Sequence, residues 1–481
     1  MAVDIQNRAR SFHAELRADA RAAVALVAAV LAFAATAFAP QVLNDGDTFL
    51  HIAAGARMLG AHAILYRDPF SYTFANVPWQ AHEWLAEIAM AAAYEAAGWS
   101  GLLLLAALAA AAAAGLLAYH LGRWLDWPAQ AIIVVLAMSC MTASLLARPH
   151  LLALPLMEVW VAGLVIARSE QRAPSLLLLP VMTLWVNIHG TFLLGLALVA
   201  AFALEALLAR EKHPATLRGW SVFGIGSAVA ALLNPHFLSG IFFPVWLMGA
   251  SRLGNIGEWQ PIDFSQLQPL ELVVLAAIYF IVTRGVKIPP LRALIVLGLL
   301  HLALQHHRHQ LVFAIAAPLA LAQSLSLSSA RTLLSEKGGR LAGIMIAGTV
   351  AVLFALAAIR LVVPATSRDS QVAPITALAH VPGDVRTRHV FNDYSFGGYL
   401  IFAGVRPFVD SRAELYDDDF FRNYAQIVEP DPADLKATLV RYDIGWTILG
   451  RHSPVAGVMD SLSGWHRLYA DDFAVVHIRD K

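Results

Sequence analysis

Eleven long, almost purely apolar stretches recur along this chain, and they limit its possible folds more than any other feature. A helix needs about 20 predominantly apolar residues to cross the hydrocarbon core of a membrane. The stretches lie at 22–40, 101–121, 129–146, 150–167, 174–188, 190–209, 220–234, 269–283, 291–305, 310–327 and 341–363. Charged residues make up only 14% of the chain, against about 25% in soluble domains. The sequence therefore predicts a polytopic α-helical membrane protein with about 11 transmembrane helices.

The first apolar stretch has to be distinguished from a cleaved signal peptide. Its last residues, Ala37-Phe38-Ala39, have the small-x-small spacing of a cleavage site. However, Pro40 would follow the cut, and many more apolar stretches come after it. We therefore interpret 22–40 as an uncleaved first transmembrane helix.

The loops between the stretches differ in basic content, which predicts their sidedness because cytoplasmic loops carry an excess of lysine and arginine. We place the N-terminus in the cytoplasm and treat segment 236–250, which is apolar but short and contains Pro244, as re-entrant or interfacial on the outer side. The inner basic residues are then Arg8, Arg10, Arg17, Arg21, Arg123, Arg168, Arg172, Arg210, Lys212, Arg218, Arg284, Lys287, Arg331, Lys337 and Arg340. The outer ones are Arg57, Arg67, Arg148, Arg252 and Arg308. This asymmetry predicts that the N-terminus lies in the cytoplasm; ten or twelve spans are the alternatives.

From residue 364 onward the composition changes to that of a soluble domain, with acidic residues throughout. Runs rich in β-forming residues at Val405–Val409, Trp446–Leu449 and Phe473–Ile478 alternate with a helical stretch at Pro432–Tyr442. We therefore predict two domains. Residues 1–363 form the transmembrane domain, with a long first outer loop at 41–100, and residues 364–481 form a small α/β domain on the periplasmic side.

Polar and ionisable residues next to the apolar stretches gather on one side of the predicted membrane. Such residues are costly there and tend to mark function. The candidate substrate- or phosphate-binding residues, all at the outer face, are His51, His82, Glu83, Arg148, His150, His189, His236, His306, His307 and Arg308. Helix capping, ordinary turns and snorkelling side chains are alternative explanations for individual members. Because separate segments contribute to one side, we expect a shared outward-facing cavity.

The stretch NDGDTFLH at residues 44–51 carries the candidate catalytic acids, Asp45 and Asp47. If Thr48 begins a helix, Asp47 is its N-cap, His51 lies one turn on, and Gly46 permits a sharp turn before it. The Asp-x-Asp spacing also suits a hard divalent cation such as Mg²⁺ or Mn²⁺, bound by Asp45 and Asp47. Capping alone is the simpler explanation of the pair.

Several motifs together resemble the GT-C membrane glycosyltransferases. They are Asp47 with His51, DPFSYT at 68–73, HEWL at 82–85, and FNDYSFGGYLIF and PFVDSRAELY at 391–402 and 407–416. Relatives include protein O-mannosyltransferases and the lipid A aminoarabinose and galacturonic acid transferases. The resemblance implies transfer of a sugar from a polyprenyl-phosphate carrier to an outer acceptor, with an inverting mechanism and the catalytic acid at Asp45 or Asp47. The adjacent Asp-Glu pair of the O-mannosyltransferases is absent.

The residue types agree independently with sugar transfer. A carboxylate can remove the proton from an incoming hydroxyl, and arginine gives paired contacts to a departing phosphate. The expected partners are a polyprenyl-phosphate-linked sugar donor, a lipid, glycan or protein acceptor, and membrane lipids. A formal net charge of zero gives no reason to expect nucleic acid. A lipid or polysaccharide transporter or flippase and a non-catalytic assembly or binding protein are the competing functions.

Overall fold

The fold is that of a computed structural model, which describes residues 2–209, 214–249, 257–326, 340–429 and 432–480. Within these ranges, thirteen helices precede residue 364. They are α1 (Ala2–Ala37), α2 (Gly46–Ala61), α3 (Trp84–Leu121), α4 (Trp127–Met141), α5 (Pro149–Ser169), α6 (Leu179–Val186), α7 (Phe192–Leu208), α8 (Pro214–Ala231), α9 (Phe237–Met248), α10 (Pro269–Arg284), α11 (Pro290–Gln305), α12 (Gln310–Leu321) and α13 (Arg340–Val362). Each of the eleven predicted stretches coincides with one of these helices.

Membrane-crossing length is clearest for four helices of the described chain. They are Asp19–Ala37 of α1, the whole of α3, the whole of α5, and Gly343–Val362 of α13. The multi-pass membrane prediction is thereby supported, whereas the number of eleven spans stays a prediction. Helix α9 has 12 residues and contains Pro244, so it is shorter than a span, in agreement with the re-entrant or interfacial interpretation of 236–250.

Helix α3 is the centre of the bundle, because α1, α2 and α5 all pack against it. The contact between α2 and α3 is very close: a Cβ at Gly55 would lie 2.0 Å from the carbonyl oxygen of Glu87. Helix α13 packs on α1, but no residue of its apolar stretch is fully buried by other parts of the protein, and Phe354 is exposed. An apolar surface of that kind suits contact with lipid chains.

The predicted first outer loop, 41–100, contains two helical elements. One is α2, and the other is the first part of α3, which is separated from the rest by non-helical backbone at Ala97 and Gly98. Gly98 has a φ of 59°, in the left-handed region that glycine adopts without steric cost. Helix α3 therefore changes direction close to residue 101, where the sequence predicts the second span to begin.

The described residues after 364 form a four-stranded sheet with short helices around it. The strands are β1 (His389–Asn392), β2 (Ile444–Gly450), β3 (Trp465–Ala470) and β4 (Ala474–Arg479); the helices are α14 (Ile375–Ala379), α15 (Gly383–Arg386), α16 (Gly397–Phe402), α17 (Asp418–Val428), α18 (Pro432–Arg441) and α19 (Pro454–Asp460). The strand order is β1-β2-β4-β3, with β1 and β2 parallel and the other pairs antiparallel. The predicted runs at 446–449 and 473–478 correspond to β2 and β4, and the predicted helix corresponds to α18. The domain boundary at 363/364 stays a prediction.

The strand expected at Val405–Val409 is wrong. This segment is irregular, because Pro407 has no NH to contribute to a ladder. The side chain of Asn392 takes the place of a partner strand: its Oδ1 accepts from the NH of Phe408 at 2.8 Å, and its Nδ2 donates to the carbonyl of Val409 at 2.8 Å. The segment is thereby fixed beside the end of β1.

A buried arginine joins the outer domain to the first outer loop. Arg412 donates to Asp410 through Nη2 at 2.7 Å and to Asp68 of the loop through Nη1 at 2.8 Å. All three side chains are almost completely buried. Its guanidinium also lies over the rings of Phe70 and Trp79, at 5.3 and 4.7 Å. We call this group the Arg412 clamp; it holds two of the resemblance motifs, 68–73 and 407–416, against each other.

Candidate active site

A cleft of about 1280 Å³ lies where the transmembrane bundle meets the outer domain. Its walls come from the start of α2, the residues before α3, the start of α5, the turn between α6 and α7, and the segments around 258 and 308. The predicted site residues that line it are Asp45, Asp47, His51, His82, Glu83, Arg148, His150, His189 and Arg308. Residues that are far apart in sequence thus meet in one cavity, as the sidedness argument expected.

Asp45 and Asp47 stand at the N-terminus of α2, but their roles differ from the expected ones. Helix α2 begins at Gly46, so Asp45 and not Asp47 is the N-cap; its Oδ1 accepts a 2.8 Å hydrogen bond from the NH of Asp47. Gly46 is not needed for a sharp turn. It matters because the outer domain comes close: a Cβ at Gly46 would lie 3.0 Å from the carbonyl oxygen of Ser395. The carboxylate of Asp47 is therefore released from capping and faces the cleft.

Arg148 is brought to this acidic pair by backbone contacts. The hydroxyl of Thr48 donates to the carbonyl of Ala147 at 3.0 Å, and the NH of Ala147 donates to the carbonyl of Val42 at 2.8 Å. The guanidinium then contacts both carboxylates, Asp45 Oδ2 through Nε at 3.3 Å and Asp47 Oδ2 through Nη2. Burial raises the pKa of Asp45, and the Arg148 charge opposes that rise.

The third nitrogen of Arg148 binds an acid that the sequence did not select as a site residue. Nη1 donates to Glu258 Oε2 at 2.6 Å, and Arg308 Nη1 donates to the other oxygen of Glu258 at 3.0 Å. Burial acts to raise the pKa of Glu258, but the two arginines outweigh it and lower that pKa to about 2. Arg308 also lies over the Trp259 ring at 4.7 Å.

Glu83 has a different environment, in which three histidines surround its carboxylate. The Nε2 atoms of His51, His82 and His189 lie 3.8, 3.7 and 3.5 Å from its oxygens. Burial raises the pKa of Glu83, while His82 and His51 oppose the rise. His51 in turn donates through Nδ1 to the buried Glu87 at 3.1 Å. Glu83 is therefore a carboxylate whose neighbours can accept or give up protons.

The tautomer of His189 follows from its hydrogen bonds. Its Nδ1 accepts from the NH of Thr191 at 3.2 Å, so in the neutral ring the proton is on Nε2, which faces Glu83. Burial and the charge of Arg308 hold the pKa of His189 well below its usual range. The position of this turn depends on Asn187, whose side chain accepts from Trp84 Nε1 at 2.7 Å and donates to the carbonyl of Leu233 at 2.8 Å.

The outer domain contributes one wall of the cleft, and the site prediction did not include the residues of this wall. Tyr394, Ser411 and Glu414 line it, together with Arg412 of the clamp. The Glu414 carboxylate accepts from Trp79 Nε1 at 2.8 Å. These residues belong to the two C-terminal motifs that carried the family resemblance, so the motifs could have indicated them as site residues. The sequence did not show, however, that these motifs lie next to the first loop.

An apolar pocket of about 660 Å³ adjoins the cleft and shares part of its lining. Arg148, His150, His189, Glu258 and Arg308 line both cavities, and His307 lines the apolar one. The deeper lining comes from α5 and α12: Ala153, Leu154, Met157, Leu311 and Val312. The charged cleft thus shares part of its wall with an apolar pocket between two helices of the bundle.

Three predicted site residues do not line the main cleft: His307, which lines the apolar pocket, His236 and His306. His236 lines a separate small pocket, stacked edge-on against Tyr66 at 5.2 Å. His306 donates through Nδ1 to the carbonyl of Trp259 at 2.7 Å and packs on its ring. Its hydrogen bond holds the segment of Arg308 beside the segment of Glu258, so a positioning role fits His306 better than contact with substrate.

The carboxylate oxygens of Asp45 and Asp47 are suitable ligands for a divalent cation, but their positions around Arg148 do not suit metal coordination. Both carboxylates, and that of Glu258, already contact one guanidinium. Among the described residues, no group of three or more His, Cys, Asp or Glu side chains is arranged to hold a metal ion. We therefore derive no chemical step from a metal.

No protein-family model and no curated protein sequence matches the chain. Solved structures do share its fold. An oligosaccharyltransferase from Archaeoglobus fulgidus, AglB, has 11% identity and a TM-score of 0.50 in a complex with an inhibitory peptide and a dolichol-phosphate, and 10% and 0.54 in the apo form; both comparisons cover 89% of this chain and 69% of that one. ArnT from Cupriavidus metallidurans, bound to undecaprenyl phosphate, has 14% identity and a TM-score of 0.51, covering 94% of this chain and 97% of that one. The chain therefore shares its overall fold with these proteins.

Proposed function

We propose that this chain, which shares the GT-C fold, is a membrane glycosyltransferase that moves a sugar from a polyprenyl-phosphate carrier to an acceptor at the outer face. One observation carries the proposal: the charged cleft shares Arg148 and Arg308 with the apolar pocket that is lined by α5 and α12, so both arginines stand where the two cavities adjoin. A lipid phosphate combines an anionic head with an apolar chain and needs both environments side by side. The polyprenyl phosphates bound by AglB and ArnT support this choice of donor.

Arg308 is the best candidate for contact with the donor phosphate. Its Nη1 binds Glu258, and Arg308 lines both the cleft and the apolar pocket, as His150 does. Arginine is well suited to phosphate because its planar fork gives paired, charge-assisted hydrogen bonds. Arg148 is less suited to that role, because each of its three nitrogens contacts a carboxylate.

Asp47 is the proposed base for the acceptor hydroxyl. Its carboxylate lines the cleft, and the Arg148 guanidinium beside it favours the ionised form that a base requires. Asp45 orients it by accepting its backbone NH. Attack by the deprotonated hydroxyl on the sugar carbon, with departure of the lipid phosphate from the opposite face, would invert that carbon; the inverting mechanism belongs to the proposal.

The proposal is tested by incubating purified protein in vesicles with polyprenyl-phosphate sugars and measuring release of the free lipid phosphate. Asp47→Asn is expected to lower the rate about 10²–10⁴-fold, the usual loss for a general base, without loss of folding. Asn caps helices about as well as Asp, so a mere capping role predicts a silent substitution. Asp417→Asn is the matched control, because Asp417 is the N-cap of α17 and is not among the residues that line the cleft. Lipid translocation without sugar release would instead support the transporter alternative.

The orientation of the chain completes the proposal. The basic residues predict that the cleft and the outer domain face the periplasm, with the N-terminus in the cytoplasm. A reporter that works only outside the cytoplasm should be active when fused after residue 481. Activity of a cytoplasm-only reporter at that position would contradict the orientation, without affecting the geometry of the cleft.

A further inference from the structure

We propose that Arg148 is the built-in cation of the acidic cluster, so that Asp45, Asp47 and Glu258 do not bind a divalent metal in this protein. The Mn²⁺-binding measurement described below does not depend on the proposed function, whereas the activity measurement rests on it. The cluster is formed by one guanidinium and three carboxylates that come from three separate parts of the chain: the start of α2, the start of α5 and the segment before α10.

Each carboxylate has its own nitrogen of the guanidinium. Nε lies 3.3 Å from Asp45 Oδ2, Nη1 lies 2.6 Å from Glu258 Oε2, and Nη2 contacts Asp47 Oδ2. Arginine has a planar fork with fixed donor directions, and the three acids around its edge contact all three of its nitrogens. A divalent cation needs several oxygen ligands that surround it at short distance, so the carboxylates would have to converge on one central position. The space at that position is filled by the guanidinium itself.

The charges also favour the arginine over a metal. The Arg148 side chain is only 15% exposed, and the side chains of Asp45 and Asp47 are 12% and 18% exposed. A metal that took the carboxylates would leave the guanidinium buried without a partner, which is a costly state. Arg308 adds a second positive charge on Glu258, so two arginines already face the three acids. A further divalent cation would add repulsion at the same place.

The inference changes what the reaction requires. A guanidinium is fixed to the chain and is always charged, so the acids keep their orientation without any ion from solution. Asp47 is held in one place, ionised, between the helix N-terminus and Arg148. Sugar transfer by this protein is accordingly expected to proceed without added divalent cations.

The test measures Mn²⁺ binding to purified full-length protein by electron paramagnetic resonance. Wild-type protein is expected to show no saturable site at the cluster. Arg148→Met keeps the side-chain length, removes the guanidinium and frees the carboxylates, so it should gain about one Mn²⁺ per chain, because Mn²⁺ prefers such oxygen ligands. The double variant Arg148→Met/Glu258→Gln should lose that gain. Arg308→Met is the matched control, since it removes the neighbouring arginine but leaves Arg148 on all three acids, and it should gain no site.

Two results would overturn the inference: a saturable Mn²⁺ site in wild-type protein that Asp47→Asn removes, or a folded Arg148→Met protein that gains no site. If Arg148→Met does not fold, the comparison of wild type with Asp47→Asn still decides. The activity arm uses wild-type protein in excess chelator, where an unchanged rate is expected and a loss restored by Mn²⁺ would contradict it. If no donor supports transfer under any condition, the proposed function fails, whereas the Mn²⁺ measurements keep their meaning.

Discussion

At the scale of single residues, the cleft separates its carboxylates into two kinds. Asp47 and Glu258 are paired with arginine, which keeps them ionised. The residues nearest to the Glu83 carboxylate in ion-pair distance are histidines, and burial raises its pKa. The two kinds differ in how they respond to pH, because an arginine never titrates in the working range whereas histidines and a raised carboxyl do.

Glu83→Gln is expected to change activity and stability in opposite directions. A carboxyl whose pKa is raised on folding binds its proton more tightly in the native state, so stability is greatest below the unfolded pKa and falls as pH rises through the folded pKa. Gln removes that loss, so the variant should be more stable than wild type at pH 8 and nearly equal to it at pH 4. The gain at pH 8 is about 1.4 kcal/mol for each pH unit by which the folded pKa exceeds the unfolded pKa. Activity should fall about 100-fold through loss of a charged group at the site.

Thermal unfolding at the two pH values, together with the transfer assay, checks this prediction. Glu95→Gln is the control, since Glu95 is exposed on the outer part of α3, and it should change neither quantity. Equal stability of Glu83→Gln and wild type at both pH values would show that burial of the carboxylate carries no cost.

At the scale of elements, the site depends on the contact between α2 and α16. Glycines allow the backbones to approach closely, and Phe49 of α2 packs edge-on against Tyr399 of α16 at 5.3 Å. The start of α2, where both aspartates stand, is therefore placed by the outer domain as well as by the bundle. This explains why the motif around 391–402 accompanies the motif around Asp47.

Gly398→Ala is expected to displace the start of α2. The added Cβ would lie 2.1 Å from the Gly46 carbonyl oxygen, which is backbone and cannot rotate away. Overpacking of this kind typically costs about 1–3 kcal/mol, and the shift of Asp45 and Asp47 should lower transfer by a larger factor than the loss of folded protein accounts for. Gly457→Ala in α19 is the control, because a Cβ there meets no atom within 4 Å. Thermal unfolding and transfer rates measured on both variants test this prediction. Equal unfolding temperatures and equal transfer rates of Gly398→Ala and Gly457→Ala would contradict the close contact.

At the scale of the whole molecule, the Arg412 clamp connects the two halves that form the cleft. Asp68 belongs to the first outer loop and Asp410 to the outer domain, and Arg412 binds both in a buried environment. Removing one partner of a buried ion pair leaves uncompensated charge and typically costs about 3–5 kcal/mol. The clamp therefore holds the outer-domain residues that line the cleft in a fixed position relative to the first outer loop.

Arg412→Ala is expected to loosen the outer domain from the bundle. Limited proteolysis should cut the variant faster than wild type, and transfer should fall because Tyr394, Ser411 and Glu414 no longer have a fixed place above Asp47. Arg422→Ala is the control: Arg422 pairs with Asp419 on the exposed face of α17, where an ion pair contributes at most about 1 kcal/mol. Equal protease resistance of the two variants would contradict the clamp.

The sequence alone determined the membrane character of the chain, the positions of its helices and the presence of β2, β4 and α18. It did so because hydropathy and periodicity are local properties, and an apolar stretch in lipid has to satisfy its own backbone as a helix. It also brought together Asp45, Asp47, His51, Glu83, Arg148 and Arg308 as residues of one side, since the sidedness of a loop follows from counting spans and charges.

Only the tertiary structure decided how these residues are paired. That Arg148 contacts three carboxylates, and that Glu258 is one of them, depends on contacts between residues up to 110 positions apart, from Arg148 to Glu258. That Asp45 and not Asp47 caps α2 was likewise seen only in the structure. The same is true of the irregular segment at 405–409, which Asn392 binds in place of a strand. Local patterns carry no information about such partners, because the free energy of each pairing exists only after the helices and the outer sheet have packed together.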